Sequence, residues 1–453
     1  MNSSTKIHFL GAAGTVTGSK YLLDTGKHQI LIDCGLFQGL KELRNLNWDF
    51  FPVPAPNIDL VLLTHGHLDH VGFLPRLVKM GFKRAIMSTE STLQVASVIL
   101  KDSAKIQEED AARANKEGYS SHNPAKPLYT VKDAEEAIEH FKIIETNRWF
   151  EPLEGVKVRF QPNGHIIGSC FIEIEVNGEM FVFSGDIGRQ NDLLLPPPRK
   201  PQKADYLFIE STYGNRVHIQ EDAYERLKTV VNETVLGGGS LVIPSFAVER
   251  SQLLMFMLWK MKENKEIPNI PMILDSPMAD KVLDVFEDHP EDHFIEKRDF
   301  VSMKGAFHVV EEYKESLEWM NDTNPKIVIA GSGMMNGGRV LGYLQNLITK
   351  RETGLLLVGF QAEGTRGRDV LEGAESIKFF GKDYRVRAKV HKIMSLSAHA
   401  DQTGLLKWVD ELETAPKKTF IIHGEPTAAE GLKEKLDEKG WNVMIPKLYE
   451  IIN

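Results

Sequence analysis

The sequence predicts an α/β protein with two kinds of region, and three observations carry this prediction. Up to about residue 208, short apolar strands separated by turn residues dominate, with helices to cover them. Between about residues 209 and 385, apolar strands alternate with helical patterns, which is typical of a parallel sheet flanked by helices. From residue 386 onward, strand signals return beside two helices. We therefore expect one domain made of residues 1–208 and 386–453, and a second made of residues 209–385.

Composition excludes several classes of protein. The 453 residues are 42% hydrophobic and 26% charged, which excludes a disordered chain. The two cysteines, Cys34 and Cys170, exclude a disulfide-built secreted scaffold and a cysteine-based zinc site. No signal peptide and no apolar run long enough for a membrane-spanning helix is visible, so we expect a cytoplasmic protein without a membrane partner. Because the net charge is −9, any surface that binds nucleic acid must be local.

The first region is read as strands interrupted by turns and one helix. A hairpin is expected around Gly26, and a helix follows a histidine-rich stretch. The predicted strands are 6–10, 21–24, 29–33, 59–64, 156–160, 170–176 and 180–184, and the predicted helix is 68–80. A proline-rich segment, 195–201, is interpreted as a rigid surface loop.

The second region shows the alternation that defines it. Helical spacing is present at 221–235 and 250–265. The apolar strands are 240–244, 271–274, 326–330 and 354–358. The last part of the chain carries strand signals at 386–389 and 419–422.

A compact cluster of metal-binding side chains follows the strand 59–64. It consists of His65, His67, Asp69 and His70 within six residues. Two histidines two positions apart on a loop can reach one ion, whereas the Asp and His at the start of the next helix reach an adjacent position. Imidazole and carboxylate groups in this number suit zinc. A purely structural role would not explain such a concentration.

Three further polar residues lie on loops beside predicted strands. They are His165, Asp186 and His423. Each alone is a weak signal, because a histidine beside glycine is commonly a turn residue. Together they share one arrangement, in which a rigid sheet can aim a ligand from its edge.

These motifs resemble those of the metallo-β-lactamase superfamily, with its His-x-His-x-Asp-His signature, and of its β-CASP branch. Residues 209–214 are similar to the acidic motif that opens the β-CASP insertion, 395–401 to its second motif, and His423 to its third. The stretches 244–250, 275–279, 331–339 and 359–368 also match. The likeness covers nearly the whole chain and points to RNA-processing members, which are similar to the endonuclease subunit of eukaryotic mRNA 3′-end formation. It implies an αββα sandwich with an inserted α/β β-CASP domain.

The resemblance implies a ligand set for two zinc ions, with manganese as the alternative metal. His65, His67 and His165 would hold one ion, and Asp69, His70 and His423 the other. Asp186 would bridge the two, and Asp33 would orient the metal loop from behind the ligands.

The resemblance also implies the reaction, which is hydrolysis of RNA phosphodiester bonds. Two divalent ions about 3.5–4 Å apart would lower the pKa of a bridging water toward about 7 and neutralise the phosphate. Glu210 and His399 would form a hydrogen-bonded pair near the leaving group, with His399 as the general acid. Asp33 and Asp69 count with these two among the residues expected to support catalysis. A histidine at position 423 goes with RNA substrates in this family, and a valine with DNA.

Substrate contacts are expected from polar residues in the matched stretches. The predicted set is Arg250, Ser332, Arg339, Arg366 and Ser397. We expect some of the arginines to line a cleft between the domains that takes single-stranded RNA. The alternatives are ordinary surface charges and, for Ser397, a helix N-cap.

Other readings remain open. The chain could be a small-molecule or DNA hydrolase of the same superfamily, or a catalytically silent RNA-binding subunit of a processing complex. Two positions depart from the family pattern, Glu249 where Gly is frequent and Leu253 where Glu is frequent. Both departures concern substrate contacts rather than ligands. The resemblance is also compatible with a homodimer.

Overall fold

The computed structural model describes residues 5–118, 122–218, 221–359, 361–362 and 364–453. Contacts between residues divide the chain into two units. Unit 1 runs up to Val217 and resumes at His399, and unit 2 comprises His218–Ala398. Each unit has its own sheets and its own apolar core.

The strands are, in chain order, β1 Lys6–Phe9, β2 Tyr21–Asp24, β3 Gln29–Ile32, β4 Leu60–Leu62, β5 Ala85–Ser88, β6 Phe141–Ile143, β7 Phe150–Leu153, β8 Val156–Pro162, β9 Cys170–Val176, β10 Glu179–Phe183, β11 Tyr206–Glu210, β12 Leu241–Pro244, β13 Met272–Asp275, β14 His308–Val309, β15 Ile327–Ala330, β16 Gly354–Val358, β17 Ser376–Phe379, β18 Lys382–Arg385, β19 Lys389–Ile393, β20 Lys418–Ile422, β21 Val443–Met444 and β22 Ile451–Ile452.

The α-helices are, in chain order, α1 Lys41–Leu46, α2 Leu68–Val71, α3 Leu74–Lys79, α4 Glu90–Glu117, α5 Val131–Ile138, α6 Ala223–Leu236, α7 Arg250–Glu263, α8 Pro277–Asp288, α9 Lys297–Gly305, α10 Tyr313–Asn321, α11 Val340–Leu347, α12 Arg366–Leu371, α13 Gln402–Trp408 and α14 Pro426–Glu438.

Unit 1 is a sandwich of two sheets covered by helices on both outer faces. The first sheet has the strand order β22-β1-β2-β3-β4-β5-β6, and the second has β21-β20-β11-β10-β9-β8-β7. Alternate residues of both sheets point inward and form one buried core in which Phe9, Phe183, Phe208 and Phe420 pack together. Helices α2–α5 cover the first sheet and α13 and α14 the second. This arrangement confirms the predicted αββα sandwich.

Turn residues explain how neighbouring strands of the sandwich connect. Between β9 and β10, Asn177 and Gly178 form a two-residue turn with φ angles of 55° and 77°. Both angles are positive, which is the conformation that Asn-Gly favours in tight hairpins. The predicted hairpin around Gly26 joins β2 and β3 in the same antiparallel manner.

The strands that carry the polar residues run parallel to one another. β3 pairs in parallel with β4, and β11 pairs in parallel with both β10 and β20. Because parallel strands end at the same edge of a sheet, the residues that follow them are brought together. The register pairs Glu210 with Ile422, so Glu210 lies one position from His423 at this edge.

Unit 2 is built around a parallel sheet with the strand order β14-β13-β15-β12-β16-β19, accompanied by the hairpin β17–β18. The alternation of strands and helices predicted for the inserted region is confirmed. β19 pairs with β16 along its whole length, so Lys389–Ile393 lies in unit 2.

The structure differs from the predicted elements in several places. The strand expected over 386–389 is wrong, because β19 begins only at Lys389 and runs to Ile393. The helix expected over 68–80 is two short helices, α2 and α3, separated by Gly72 and Phe73. The 28-residue helix α4 was absent from the sequence prediction. Its buried residues lie almost entirely in its first half, so the second half carries no regular apolar stripe from which a helix could be predicted.

Candidate metal centre

The first group of ligand atoms comes from three histidines and one aspartate. His65 Nε2 lies 3.1 Å from His67 Nδ1, and His165 Nε2 lies 3.2 Å from the same atom. Asp186 Oδ2 lies 3.5 Å from both His65 Nε2 and His165 Nε2. Four ligand atoms from three separate loops therefore surround one point.

The second group uses the other oxygen of Asp186. His70 Nε2 lies 3.4 Å from Asp186 Oδ1, 3.3 Å from His423 Nε2 and 3.9 Å from Asp69 Oδ2. His423 Nε2 is 3.3 Å from Asp69 Oδ2. The carboxylate of Asp186 thus faces both groups, with one oxygen directed at each.

Hydrogen bonds behind the ligands fix the orientation of the rings. The Nδ1 atom of His70 is 2.7 Å from Asp33 Oδ2, so this side of the ring is held by Asp33 and Nε2 is the atom directed at the ligand group. Thr64 donates its hydroxyl to Asp33 and lies 3.1 Å from His65 Nδ1. Thr212 Oγ1 lies 3.2 Å from His423 Nδ1. The two threonines were not identified from the sequence, because a threonine beside a histidine carries no signal of its own.

Close backbone packing holds the loops of the centre. A Cβ atom on Gly35 would lie 1.5 Å from the carbonyl oxygen of Asp69, so this position accepts only glycine. A Cβ atom on Gly66 would lie 2.7 Å from Val95 of α4. The unpredicted helix α4 therefore supports the loop between His65 and His67.

The loop that carries His165 is fixed in a similar way. Ser169 Oγ accepts the backbone N–H of His165 at 3.0 Å. Thr89 and Thr92, at the start of α4, donate their hydroxyls to the carbonyl oxygen of Gly168 at 2.8 and 2.9 Å. Three hydroxyl groups thus hold the turn in which the histidine lies.

Burial and neighbouring charges shift the pKa values of the ligands. Burial holds the pKa of His65 and His165 well below the usual value and lowers the pKa of His67 to about 4. These three imidazoles are neutral at pH 7, which is the form that binds a metal. Burial also acts on the pKa of His70, but the carboxylates of Asp186 and Asp33 outweigh it and raise this pKa well above its usual value.

The donor set fits divalent cations. A tetrahedral ion with bonds of about 2.0–2.1 Å places its ligands about 3.3 Å apart, close to the separations of 3.1–3.5 Å in the first group. Asp186 Oδ1 and His165 Nδ1 are buried and accept or donate no hydrogen bond among the described residues. Asp69 and Asp186 both face the centre with lowered pKa values, whereas among the four ligand histidines with a shifted pKa only His70 has a raised one, and its ring also contacts Asp33. One imidazolium cannot neutralise these carboxylates together, so the centre requires a further cation.

Glu210 and His399 adjoin the ligand groups. His399 Nδ1 lies 3.2 Å from Glu210 Oε1, and the ring centroids of His399 and His165 are 4.4 Å apart. Glu210 is fully buried and accepts the backbone N–H of Ile187 and of Thr212 through its two oxygens. Burial lowers the pKa of His399, but the charge of Glu210 outweighs it and the net effect raises this pKa. The ring of His399 remains 18% exposed and can therefore reach a substrate.

Known protein families match consecutive parts of the chain. Residues 13–238 match the metallo-beta-lactamase superfamily, 251–370 the Beta-Casp domain, and 383–446 the Zn-dependent metallo-hydrolase RNA specificity domain. Ribonuclease TTHA0252 of Thermus thermophilus is 33% identical over 97% of this chain and 98% of its own length. The chain belongs to the β-CASP branch of the metallo-β-lactamase superfamily. It is a metal-dependent hydrolase, as this fold and the donor set indicate.

Other β-CASP relatives are longer. Transcription termination factor FttA of Methanocaldococcus jannaschii is 29% identical over 93% of this chain, which spans 67% of that factor. A protein of unknown function from Enterococcus faecalis V583 has a similar fold, with a TM-score of 0.53 at 13% identity over 99% of both chains. Among the helices in the described part of the chain, none is both long and apolar enough to cross a membrane.

The predicted substrate residues of the β-CASP unit have varied surroundings. Arg339 donates to Asp275 at 2.6 Å and to two backbone carbonyls, and Arg366 donates to the backbone carbonyls of three residues. Their guanidinium groups are thus engaged within unit 2, which favours a structural role. Arg250 and Ser397 are buried, and Ser332 is half-buried. Phe360 and Glu363 of the matched stretch 359–368 lie outside the described residues. The interdomain cleft stays a prediction.

Proposed function

We propose that this protein is a ribonuclease that hydrolyses RNA phosphodiester bonds with two divalent ions, zinc being the expected metal. The observation that carries the proposal is Asp186, whose two oxygens face two separate groups of ligand atoms. The name of the Thermus relative and the RNA specificity domain support RNA as the substrate. Homodimerisation stays a prediction.

The chemistry requires a nucleophile and charge neutralisation, which bound divalent ions supply by activating water and offsetting the charge of the phosphate. The protein chain contributes the side chains that would hold these ions and fixes where they lie. His65, His67 and His165 present neutral nitrogens on one side. Asp69, His70 and His423 present one carboxylate and two imidazole rings on the other. Asp33 holds His70 so that its Nε2 faces the centre.

His399 is proposed as the group that protonates the leaving oxygen. Its Nδ1–H points at Glu210 Oε1, so the proton to be transferred resides on Nε2. Both oxygens of Glu210 accept backbone N–H groups, which fixes the carboxylate and with it the histidine ring. Glu210 is therefore a positioning residue, and His399 contacts the substrate.

The test combines metal analysis with cleavage of end-labelled single-stranded RNA and DNA of the same sequence. We expect two metal ions per chain and cleavage of RNA. Asp69→Ala should lose metal and activity. His399→Ala should keep its metal while kcat falls about 10²–10⁴-fold, the contribution typical of a general acid.

His140→Ala is the matched control. Within the described part of the chain this histidine belongs to none of the ligand groups, and its ring contacts the backbone oxygen of Arg84 and the ring of Phe82. Unchanged kcat in His399→Ala with metal bound would remove the general acid. Bound metal without cleavage of RNA would contradict the proposed function and favour a binding subunit or a small-molecule substrate. Equal cleavage of DNA would contradict RNA selectivity.

A further inference from the structure

Unit 1 contains a polar pocket outside the metal centre, on the outer face of its second sheet. Its volume is about 400 Å³, within the range of pockets that hold one nucleotide-sized ligand. The pocket is lined by Arg159, Gln161, Pro198, Arg199, Lys200, Gln202 and Glu411. The lining has three cations and one carboxylate, but Arg159 is paired with Glu173 behind the pocket and Lys200 with Glu411, so Arg199 carries the charge that is not offset.

The floor of the pocket is rigid. Arg159 donates from Nε and Nη2 to the two oxygens of Glu173 at 2.6 and 3.1 Å, and its guanidinium lies 4.6 Å from the centre of the Trp149 ring. Gln161 donates to the same carboxylate at 3.0 Å. Glu173 is 2% exposed and Arg159 is 25% exposed, so the carboxylate lies beneath the guanidinium. The Nη1 group of Arg159 donates to no protein atom in the described part of the chain, which leaves it for a ligand.

The rim presents a cation on a fixed backbone. The N–H of Arg199 donates to Pro162 at 2.9 Å, and its carbonyl oxygen accepts the indole N–H of Trp408 at 2.7 Å. The Arg199 side chain is exposed and makes no ion pair with any described residue. Lys200 lies beside it, 3.2 Å from Glu411. Arg199 thus combines a backbone held in place with a guanidinium that has no ion-pair partner among the described residues, and this combination favours an anionic ligand.

The pocket adjoins the loop that carries a metal ligand. A Cβ atom on Gly164 would lie 2.5 Å from the carbonyl oxygen of Pro196 and 3.2 Å from Pro198, so the proline loop packs directly on the residue before His165. Pro162, which binds the backbone of Arg199, is three residues from His165. Three residues span at most about 10 Å. An RNA strand whose scissile bond lies at the metal centre can therefore reach the pocket with a neighbouring phosphate.

We propose that this pocket binds the phosphodiester backbone of the RNA strand beside the scissile bond, with Arg199 and Lys200 on phosphate oxygens and Arg159 beneath. The inference rests on the proposed function, because it takes RNA as the substrate. Contact with the backbone alone predicts affinity without sequence preference.

The test measures the Kd of a labelled oligouridine of about 20 nucleotides, longer than the about 4–16 nucleotides of single-strand sites, by fluorescence anisotropy. The full chain carries His399→Ala in this assay, because this variant is expected to keep its metal while cleavage is slowed, so that the RNA stays largely intact during the measurement. Arg199→Glu should raise Kd about tenfold, the size of one charged hydrogen bond. The slope of log Kd against log salt should fall by about 0.7 for each phosphate that the variant no longer neutralises.

Lys203→Glu is the matched control, because Lys203 is an exposed cation of the same segment that does not line the pocket. An equal Kd and an equal salt slope in the two variants would show that the pocket does not bind RNA. This result would leave the proposed function, cleavage of RNA, unaffected. Failure of the parent chain to bind RNA would overturn both. Matching thermal midpoints of the variants establish that the fold is kept.

Discussion

Asp186 in unit 1 and Asp275 in unit 2 are both buried carboxylates among polar side chains, but their surroundings differ. Asp275 in unit 2 accepts from Arg339 at 2.6 Å, Tyr343 at 2.7 Å and Ser316 at 3.0 Å. Its charge is met by a guanidinium of the same chain. Asp186 in unit 1 is surrounded by imidazoles, and its Oδ1 makes no hydrogen bond among the described residues.

The difference shows how a buried carboxylate can serve structure or chemistry. A carboxylate that pairs with an internal arginine is already neutralised and has no need of a ligand. Removing it leaves the charge of the arginine buried without a partner. The carboxylates of the metal centre have no arginine or lysine beside them among the described residues, so their charge requires a cation from outside the chain. The first therefore contributes to folding, and the second makes stability depend on metal.

Asp186→Ala should have the largest effect. The substitution removes an oxygen from each ligand group, so we expect metal content to fall and RNA cleavage to drop at least about 1000-fold, about 4 kcal/mol in the barrier. Added metal should raise the thermal midpoint of the unchanged protein but not that of the variant. Glu175→Ala, on an exposed ion pair with Lys157, is the control. Full metal content in Asp186→Ala would contradict the assignment of Asp186 to the metal centre.

Asp275→Ala should act on stability alone. It leaves Arg339, whose side chain is 17% exposed, without its anion, and Tyr343 without its acceptor. The free energy of unfolding should fall by about 3–5 kcal/mol, measured by urea denaturation, while metal content is unchanged. The exposed pair of Asp284 and Lys304 in the same unit provides the control, because Asp284→Ala should cost less than about 1 kcal/mol. Equal effects would show that burial does not distinguish the two carboxylates.

The sequence predicted the parts of the centre that depend on local pattern. Strands end before Asp33, His65, Asp186 and His423, and parallel pairing brings strand ends to one edge. The cluster of His65, His67, Asp69 and His70 could thus be recognised from its own segment. His165, Asp186 and His423 are weak signals singly and were expected as ligands only through the resemblance to the family.

Partners that meet across long chain separations could not be predicted. Arg339 was expected to contact substrate because it lies in a stretch that matches the family. Nothing near it in sequence indicates its partner Asp275, which is 64 residues away. The supporting roles of Thr64 and of α4 were missed for a related reason. Both depend on which loop packs on which, and that is decided by tertiary structure rather than by propensity.

Lys20 in unit 1 is a buried cation without a carboxylate partner among the described residues, the converse of the buried carboxylates Asp186 and Asp275. Its ammonium donates to the carbonyl oxygen of Gly35 at 2.6 Å and lies over the rings of Phe37 and Phe73, with no carboxylate within 4 Å among the described residues. Burial lowers the pKa of Lys20 to about 8, below the usual 10.5. Between these values the unfolded chain binds more protons than the folded one, so this lysine makes the free energy of unfolding rise with pH.

Lys20→Met should remove that rise. We expect the free energy of unfolding of the variant relative to the parent to decline by about 2–3 kcal/mol from pH 7 to pH 10, because each pKa unit is worth about 1.4 kcal/mol. Urea denaturation in the presence of chelator measures it without metal. Lys27→Met is the control, since Lys27 is 59% exposed and paired with Glu154 at 2.7 Å. Parallel pH curves for Lys20→Met and the parent would show that the buried ammonium is solvated as well as a surface one, and that unit 1 tolerates a charge without a counter-ion.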